Sequence, residues 1–180
     1  HGRMRLEMQL SVGFDHSTDH SVISLAINLF SILQASAFKE LDNCSFRKTG
    51  DAEFQPDLAY YVGAKANVIP SGTDVVNLEQ YPVPDLVVEV AKSSLLDDLT
   101  VKRVLYEEMG IAEYWIVKVE TAEVLAYQMS DRGSQRIDCS LVFPGLEMAT
   151  LDQALQRSRR QDQSQVGAWL MAQFQPAANV

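Results

Sequence analysis

The sequence predicts a mixed α/β (α+β) fold, with one central mixed β-sheet flanked by helices and an extra helix at the C-terminus. Three observations predict it. Leu86 to Ala91 (LVVEVA) is an unbroken apolar run but for one residue, as in a strand buried on both faces. Val22, Ile23, Ala26, Ile27, Phe30 and Leu33 recur at helical spacing, and so do Val101, Val104, Leu105 and Met109. Elements follow one another as strand, helix, several strands, helix, strands, helix, with no internal repeat.

Arg3 to Val12 alternates apolar and polar residues and reads as a half-buried strand. Gly13 to Thr18 reads as a loop, with Ser17, Thr18 or Asp19 placed to cap a helix running to about Phe38. Short strands are expected near Leu41–Phe46 and Pro56–Val62, with polar Arg47–Glu53 connecting them. Gly63 to Val83 holds Pro70, Gly72 and Pro82 and reads as a long surface loop, a kind of segment often used for function. Pro84 to Lys102 carries the central strand, a Ser-Ser-x-x-Asp-Asp cluster and the start of a helix near Asp97. Gly110 is placed to end that helix. Strands follow at Glu113–Val117, Glu123–Met129 and Arg136–Ser140. A final helix is expected from about Leu151 to Phe174, polar on every side from Arg157 to Gln165. Its apolar end (Val166, Trp169, Leu170, Phe174) is suited to dock on the domain or to pair subunits as a homo-oligomer. Residues 1–150 form the expected domain and 151–180 a helical extension, packed on that domain or at a subunit interface.

At 180 residues the chain is long enough to bury a sizeable core. Its 15 Lys and Arg against 24 Asp and Glu give a net charge of −9, which argues against generic nucleic-acid binding but leaves room for a locally basic cleft. Cys44 and Cys139 match no metal or redox spacing and read as free buried thiols of a reducing, cytoplasmic compartment. No apolar run approaches the roughly 20 residues of a membrane helix, and no signal peptide is legible from the His-Gly start onward.

The residue that breaks the apolar strand is Glu89. An ionised carboxylate there costs several kcal/mol, to order of magnitude, unless it is paired or holds a metal. Strand alternation puts Asp57, Ala59 and Tyr61 on one face, and Asp85, Val87, Glu89 and Ala91 on one face of the later strand. If those strands are neighbours, Asp57 and Glu89 converge, and two repelling carboxylates suit a divalent cation, Mg²⁺ above all. Asp98, Lys102 and Tyr106 recur every fourth residue on one helix face. A cleft that admits a phosphodiester is expected to be near-neutral or positive, with Lys92, Lys102 and Arg103 as contributors.

Pro56-Asp57, then Glu89 in the next strand, then a lysine, resembles the PD-(D/E)xK nuclease superfamily. QPDLAYYV, PDLVVEVAKSS, DLTVKRVLYEEMGI and AEYWIV, in that order and spacing, resemble more specifically the Uma-two family of restriction-endonuclease-like proteins. GRMRLEM and His20 are also similar, and the resemblance spans about Gly2 to Leu151. It implies a restriction-endonuclease-like core and metal-dependent hydrolysis of DNA. Asp57 and Glu89 would hold Mg²⁺ (or Mn²⁺), the Val90 carbonyl would add a ligand, and Lys102 would be a relocated catalytic lysine. Asp98, Tyr106 and His20 would be supporting residues. Three departures stand out. Ala91 occupies the usual lysine position, Lys118 stands where the family has Asp, and the first helix lacks the acidic residue many superfamily members carry.

Each residue also has a plainer reading. Asp57 caps a turn, Glu89 and Lys102 form a structural ion pair, and Asp98 favours a helix dipole. Tyr106 is a core-edge aromatic, and His20 satisfies local hydrogen bonds. Asp85 starts its strand, and Tyr114 and Trp115 are core. These readings belong to a binding or regulatory module on the same fold, or to an interaction protein that assembles through its last helix.

Overall fold

The computed structural model describes residues 12–48, 52–92, 96, 98–131 and 133–175. The expected first strand falls outside them except for Val12, as do Ser93, Ser94 and Asp97. Helix α1 is Phe14–Leu33, followed by strands β1 (Phe38–Asp42), β2 (Phe46–Lys48), β3 (Ala52–Phe54), β4 (Leu58–Val62), β5 (Val76–Asn77) and β6 (Leu86–Ala91). A wide π-type turn at Asp98–Lys102 leads into α2 (Arg103–Glu108). Then come β7 (Glu113–Lys118), β8 (Glu123–Ser130), β9 (Gly133–Ile137), α3 (Met148–Ser158) and α4 (Gln163–Phe174).

Six strands form the central sheet in the order β1-β4-β6-β7-β8-β9. Only β6 and β7 run parallel; the other pairs are antiparallel. All six β6 residues are buried, as the apolar run predicts, because both sheet faces are covered. One face presents Leu58, Tyr60, Val88, Val90 and Trp115 to α1, α3 and α4. The other presents Ala59, Tyr61, Val87, Ala91 and Tyr114, packed with Tyr106 of α2 and with Phe46 and Phe54. The mixed sheet flanked by helices is the fold class the sequence predicts.

Several boundaries differ, each for a physical reason. α1 starts at Phe14 with Gly13 as its cap residue and no side-chain cap, so Ser17 to Asp19 lie inside it. It ends at Leu33, where Ala35 adopts φ 50°. Ser36 N–H bonds the Ser31 carbonyl and Ala35 N–H that of Ile32, a left-handed terminator that usually announces itself with Gly or Asn. The expected polar connector contains β2 and β3, a hairpin with Arg47 and Glu53 paired outside (3.1 Å) and Phe46 stacked on Phe54 inside (5.2 Å). β5 pairs parallel to β2, and Tyr61 Oη donates to the Pro82 carbonyl at 2.8 Å. The long loop is therefore pinned at both a strand and a side chain. β9 begins three residues before the expected strand.

The single final helix is two. Asp162 caps α4, accepting from Ser164 and Gln165 N–H, while the Gln165 side chain accepts from Asp162 N–H. The polar stretch is the turn between them. The apolar end of α4 packs within this chain. Val166, Leu170 and Phe174 are buried, with Phe174 edge-on to Phe30 of α1 at 5.2 Å; each such side chain contributes about 1.5–3 kcal/mol. Cys44 is half-buried and Cys139 exposed, and both are free, so the expected burial fails for Cys139. Among the described residues no helix is long and apolar enough to cross a membrane.

Candidate active site

Asp57 directly precedes β4. The β4–β6 ladder pairs Leu58 with Val88, so one further step sets Asp57 opposite Glu89. Val90 N–H closes that step by donating to Asp57 Oδ2 at 2.6 Å. Both side chains therefore project from neighbouring strands toward the face covered by α2.

Glu89 is 5% exposed. Its Oε1 accepts from Tyr106 Oη at 2.6 Å, and its Oε2 lies 3.0 Å from Lys102 Nζ. Lys102 Nζ also meets Asp98 Oδ1 at 2.8 Å, and the Asp98 carbonyl accepts from Tyr114 Oη at 3.2 Å. Asp98, Lys102 and Tyr106 thus share one helix face, as their spacing predicts, with the face aimed at Glu89. The π-type turn carries Asp98 and Lys102; such turns recur at functional sites.

Burial pushes the Glu89 carboxyl up to about 7, against the opposing pull of Lys102 and Tyr106 and with a further push from Asp57. Lys102 feels burial too, which lowers its pKa. Glu89 and Asp98 outweigh that and hold it above the ordinary lysine value. Both values rise, but the rise favours the neutral form of Glu89 and the charged form of Lys102, because Glu89 is enclosed while about a third of the Lys102 side chain reaches solvent. Burial, then the Glu89 charge, raise Tyr106 far above the usual phenol range, so it acts as a fixed donor.

His20 Nε2 reaches the Asp57 carbonyl at 3.1 Å and Asp42 Oδ1 at 3.3 Å. It braces the Asp57 backbone rather than its carboxylate. His16, one turn earlier on α1, has Nε2 3.7 Å from Asp57 Oδ2. Sequence reasoning missed His16, although its i, i+4 spacing to His20 was the available signal. Lys92 is exposed, its ammonium against Gly13 at the start of α1 and away from Glu89. Arg103 lies over the Tyr127 ring at 5.0 Å. Of the three expected cations only Lys102 reaches the carboxylates. Glu89 and Asp98 flank it and Asp57 acts on Glu89, so three acids stand against one lysine here and these side chains do not form the expected near-neutral or positive pocket.

Other acids are accounted for elsewhere. Asp85 bonds Lys65 Nζ at 2.7 Å and Val62 N–H at 2.9 Å, which locks the start of β6. α1 carries Asp15 and Asp19, and fully buried Asp19 takes a two-pronged bond from Arg159. Glu113, also buried, accepts from Trp115 Nε1, Ser140 Oγ and the N–H groups of Leu141 and Val142. It ties β7 to the 140–142 turn.

Among the described residues no three His, Cys, Asp or Glu side chains form a metal cage. The donors present are two facing carboxylates beside main-chain groups. That set fits a hard cation such as Mg²⁺, which takes one or two carboxylates and fills its shell with water and substrate phosphate.

The chain resembles a putative nuclease of the DUF820 group from Anabaena variabilis. The crystal structure of that protein superposes with a TM-score of 0.58 at 17% identity, covering 82% of this chain and 84% of that one. This likeness shows the fold. No curated protein matches the sequence. The profile of the Uma2 family, described as putative restriction endonuclease, matches residues 5–164, and by that match the chain belongs to the Uma2 family.

Proposed function

We propose that the chain is a metal-dependent endonuclease that hydrolyses DNA phosphodiester bonds. The observation that carries this reading is a buried glutamate, facing an aspartate from the adjacent strand and contacted by a lysine. Asp57 and Glu89 would hold Mg²⁺ or Mn²⁺, and the ion when bound would offset phosphate charge and activate water. Val90 N–H fixes the orientation of Asp57, and Tyr106 fixes that of Glu89. Lys102 presents its ammonium to the scissile phosphate or orients the attacking water, with Asp98 holding it from the opposite side. Water adds to phosphorus, one P–O ester bond breaks, and the departing oxygen takes a proton.

One observation favours a second reading. Lys102 bonds both Glu89 and Asp98, so the cluster also works as a closed ion pair in a binding or regulatory module. Cleavage of plasmid and oligonucleotide DNA with Mg²⁺ or Mn²⁺ separates the two. Lys102→Ala should lower turnover by about 10²–10³-fold, as for loss of one transition-state charge partner. Lys92→Ala should leave it unchanged. If Lys92→Ala abolishes cleavage and Lys102→Ala does not, the assignment is wrong. If the parent cuts no DNA with either ion, the regulatory reading replaces it.

A further inference from the structure

This inference rests on the nuclease reading and concerns where the rest of the substrate lies. Three hollows adjoin along the surface. The first, of about 320 Å³, holds Asp57, His16 and His20 and is walled by Ser17 and Ser21. The second, of about 240 Å³, shares Ser17 and Ser21 and continues past Thr18 to Ser158 and Gln161. The third, of about 620 Å³, shares Gln161 and opens on Arg157, Arg159 and Arg160. Shared walls make them one groove that crosses the N-terminal half of α1, from Asp57 to the end of α3.

The groove's chemistry is not that of the surface as a whole. Its middle section sets hydroxyl and amide side chains beside Phe14 and Val22, and has no carboxylate. The acids sit at its ends, Asp42 and Asp57 at one and Glu120 at the other. Arg159 is committed to Asp19 and to the Val119 carbonyl. Arg157 is held over the Trp169 ring at 4.5 Å, which fixes its guanidinium without neutralising it. Arg160 is exposed and makes no ion pair among the described residues. In a chain of net charge −9, two guanidiniums that make no ion pair among the described residues, against one glutamate at that end of a groove with an uncharged middle, are the complement of a polyanion.

We propose that this groove carries the backbone of the bound DNA away from the cleavage point, with Arg157 and Arg160 each contacting a phosphate. Guanidinium forks match phosphate oxygens, and hydroxyl and amide groups donate to the same oxygens without reading sequence. The acidic cluster cannot attract a polyanion by itself, so affinity comes from this flank and chemistry from Asp57 and Glu89.

The test is binding of a fluorescent DNA duplex by anisotropy across about 50–200 mM salt in EDTA, with the salt dependence of cleavage in Mg²⁺ as the second readout. Each lost phosphate contact should reduce the slope of log K against log salt by about 0.9. Arg160→Ala should show one such step, Arg157→Gln with Arg160→Ala two, and Arg160→Lys none, all with unchanged thermal unfolding. If the parent binds or cuts and the variants keep its slope, the groove is not the track and the nuclease reading stands. A drop in melting temperature without a change in slope would mean that the arginines serve only the end of α3. If the parent neither binds nor cuts DNA, both readings fall together.

Discussion

Glu89→Gln should make the protein more stable at alkaline pH. The Glu89 carboxyl moves from 4.5 to about 7 on folding, first because of burial. Between those values the folded chain holds a proton that the unfolded chain has released. Stability therefore falls as pH rises from about 4.5 to about 7, and is flat above. At about 1.4 kcal/mol per pKa unit, the ionised buried carboxylate costs about 3 kcal/mol at pH 8. Glutamine keeps an acceptor for Tyr106 Oη and removes the charge, while Lys102 keeps Asp98. Urea unfolding in EDTA should show Glu89→Gln matching the parent near pH 4.5 and exceeding it at pH 8, by up to about 3 kcal/mol. Such a gain, with DNA cleavage lost, is the signature of a residue kept for chemistry at a cost in stability. A Glu89→Gln protein less stable than the parent at pH 8 would refute the reasoning. The Lys102 pair would then outweigh burial, and Glu89 would be structural.

Two further changes probe the supports. Arg159→Ala leaves fully buried Asp19 without its partner and should cost about 3–5 kcal/mol in urea unfolding; a loss under about 1 kcal/mol would mean that Asp19 is satisfied in some other way. Tyr106→Phe removes the donor that favours ionised Glu89. It should lower stability by about 1.5–3 kcal/mol at pH 8 and move the pH midpoint of the parent's stability loss upward, whereas an unmoved midpoint would contradict the bond to Glu89.

The parts of this molecule that short periodicities encode were legible. Period-two alternation gave Asp57 and Glu89 the faces on which they converge if their strands are neighbours, and four-residue spacing put Asp98, Lys102 and Tyr106 on one helix face; the β4–β6 pairing of the fold meets that condition and brings these residues together. Short or irregular features were not legible. The β2–β3 hairpin has three-residue strands, too short for alternation to stand out, and α1 ends on an alanine where glycine is the usual signal. The α3–α4 break was written in Asp162-x-x-Gln165, a capping pattern hidden among polar neighbours. Contacts between distant positions have no local signature. Asp19 and Arg159 lie 140 residues apart, and Glu113 finds its partners 27 to 29 residues on. His16 was missed because its i, i+4 spacing to His20 carries little meaning until the strand that both histidines face is known.

The central claim is that Asp57 and Glu89 together hold one divalent cation. Anomalous diffraction from a crystal soaked in Mn²⁺ at pH 8, above the Glu89 pKa, tests it most directly. The account predicts a single anomalous peak between the two carboxylates, with metal–oxygen distances of about 2.1 Å, and no peak there in Asp57→Asn crystals. An empty position with Lys102 still bridging Glu89 and Asp98 at saturating Mn²⁺ would contradict it.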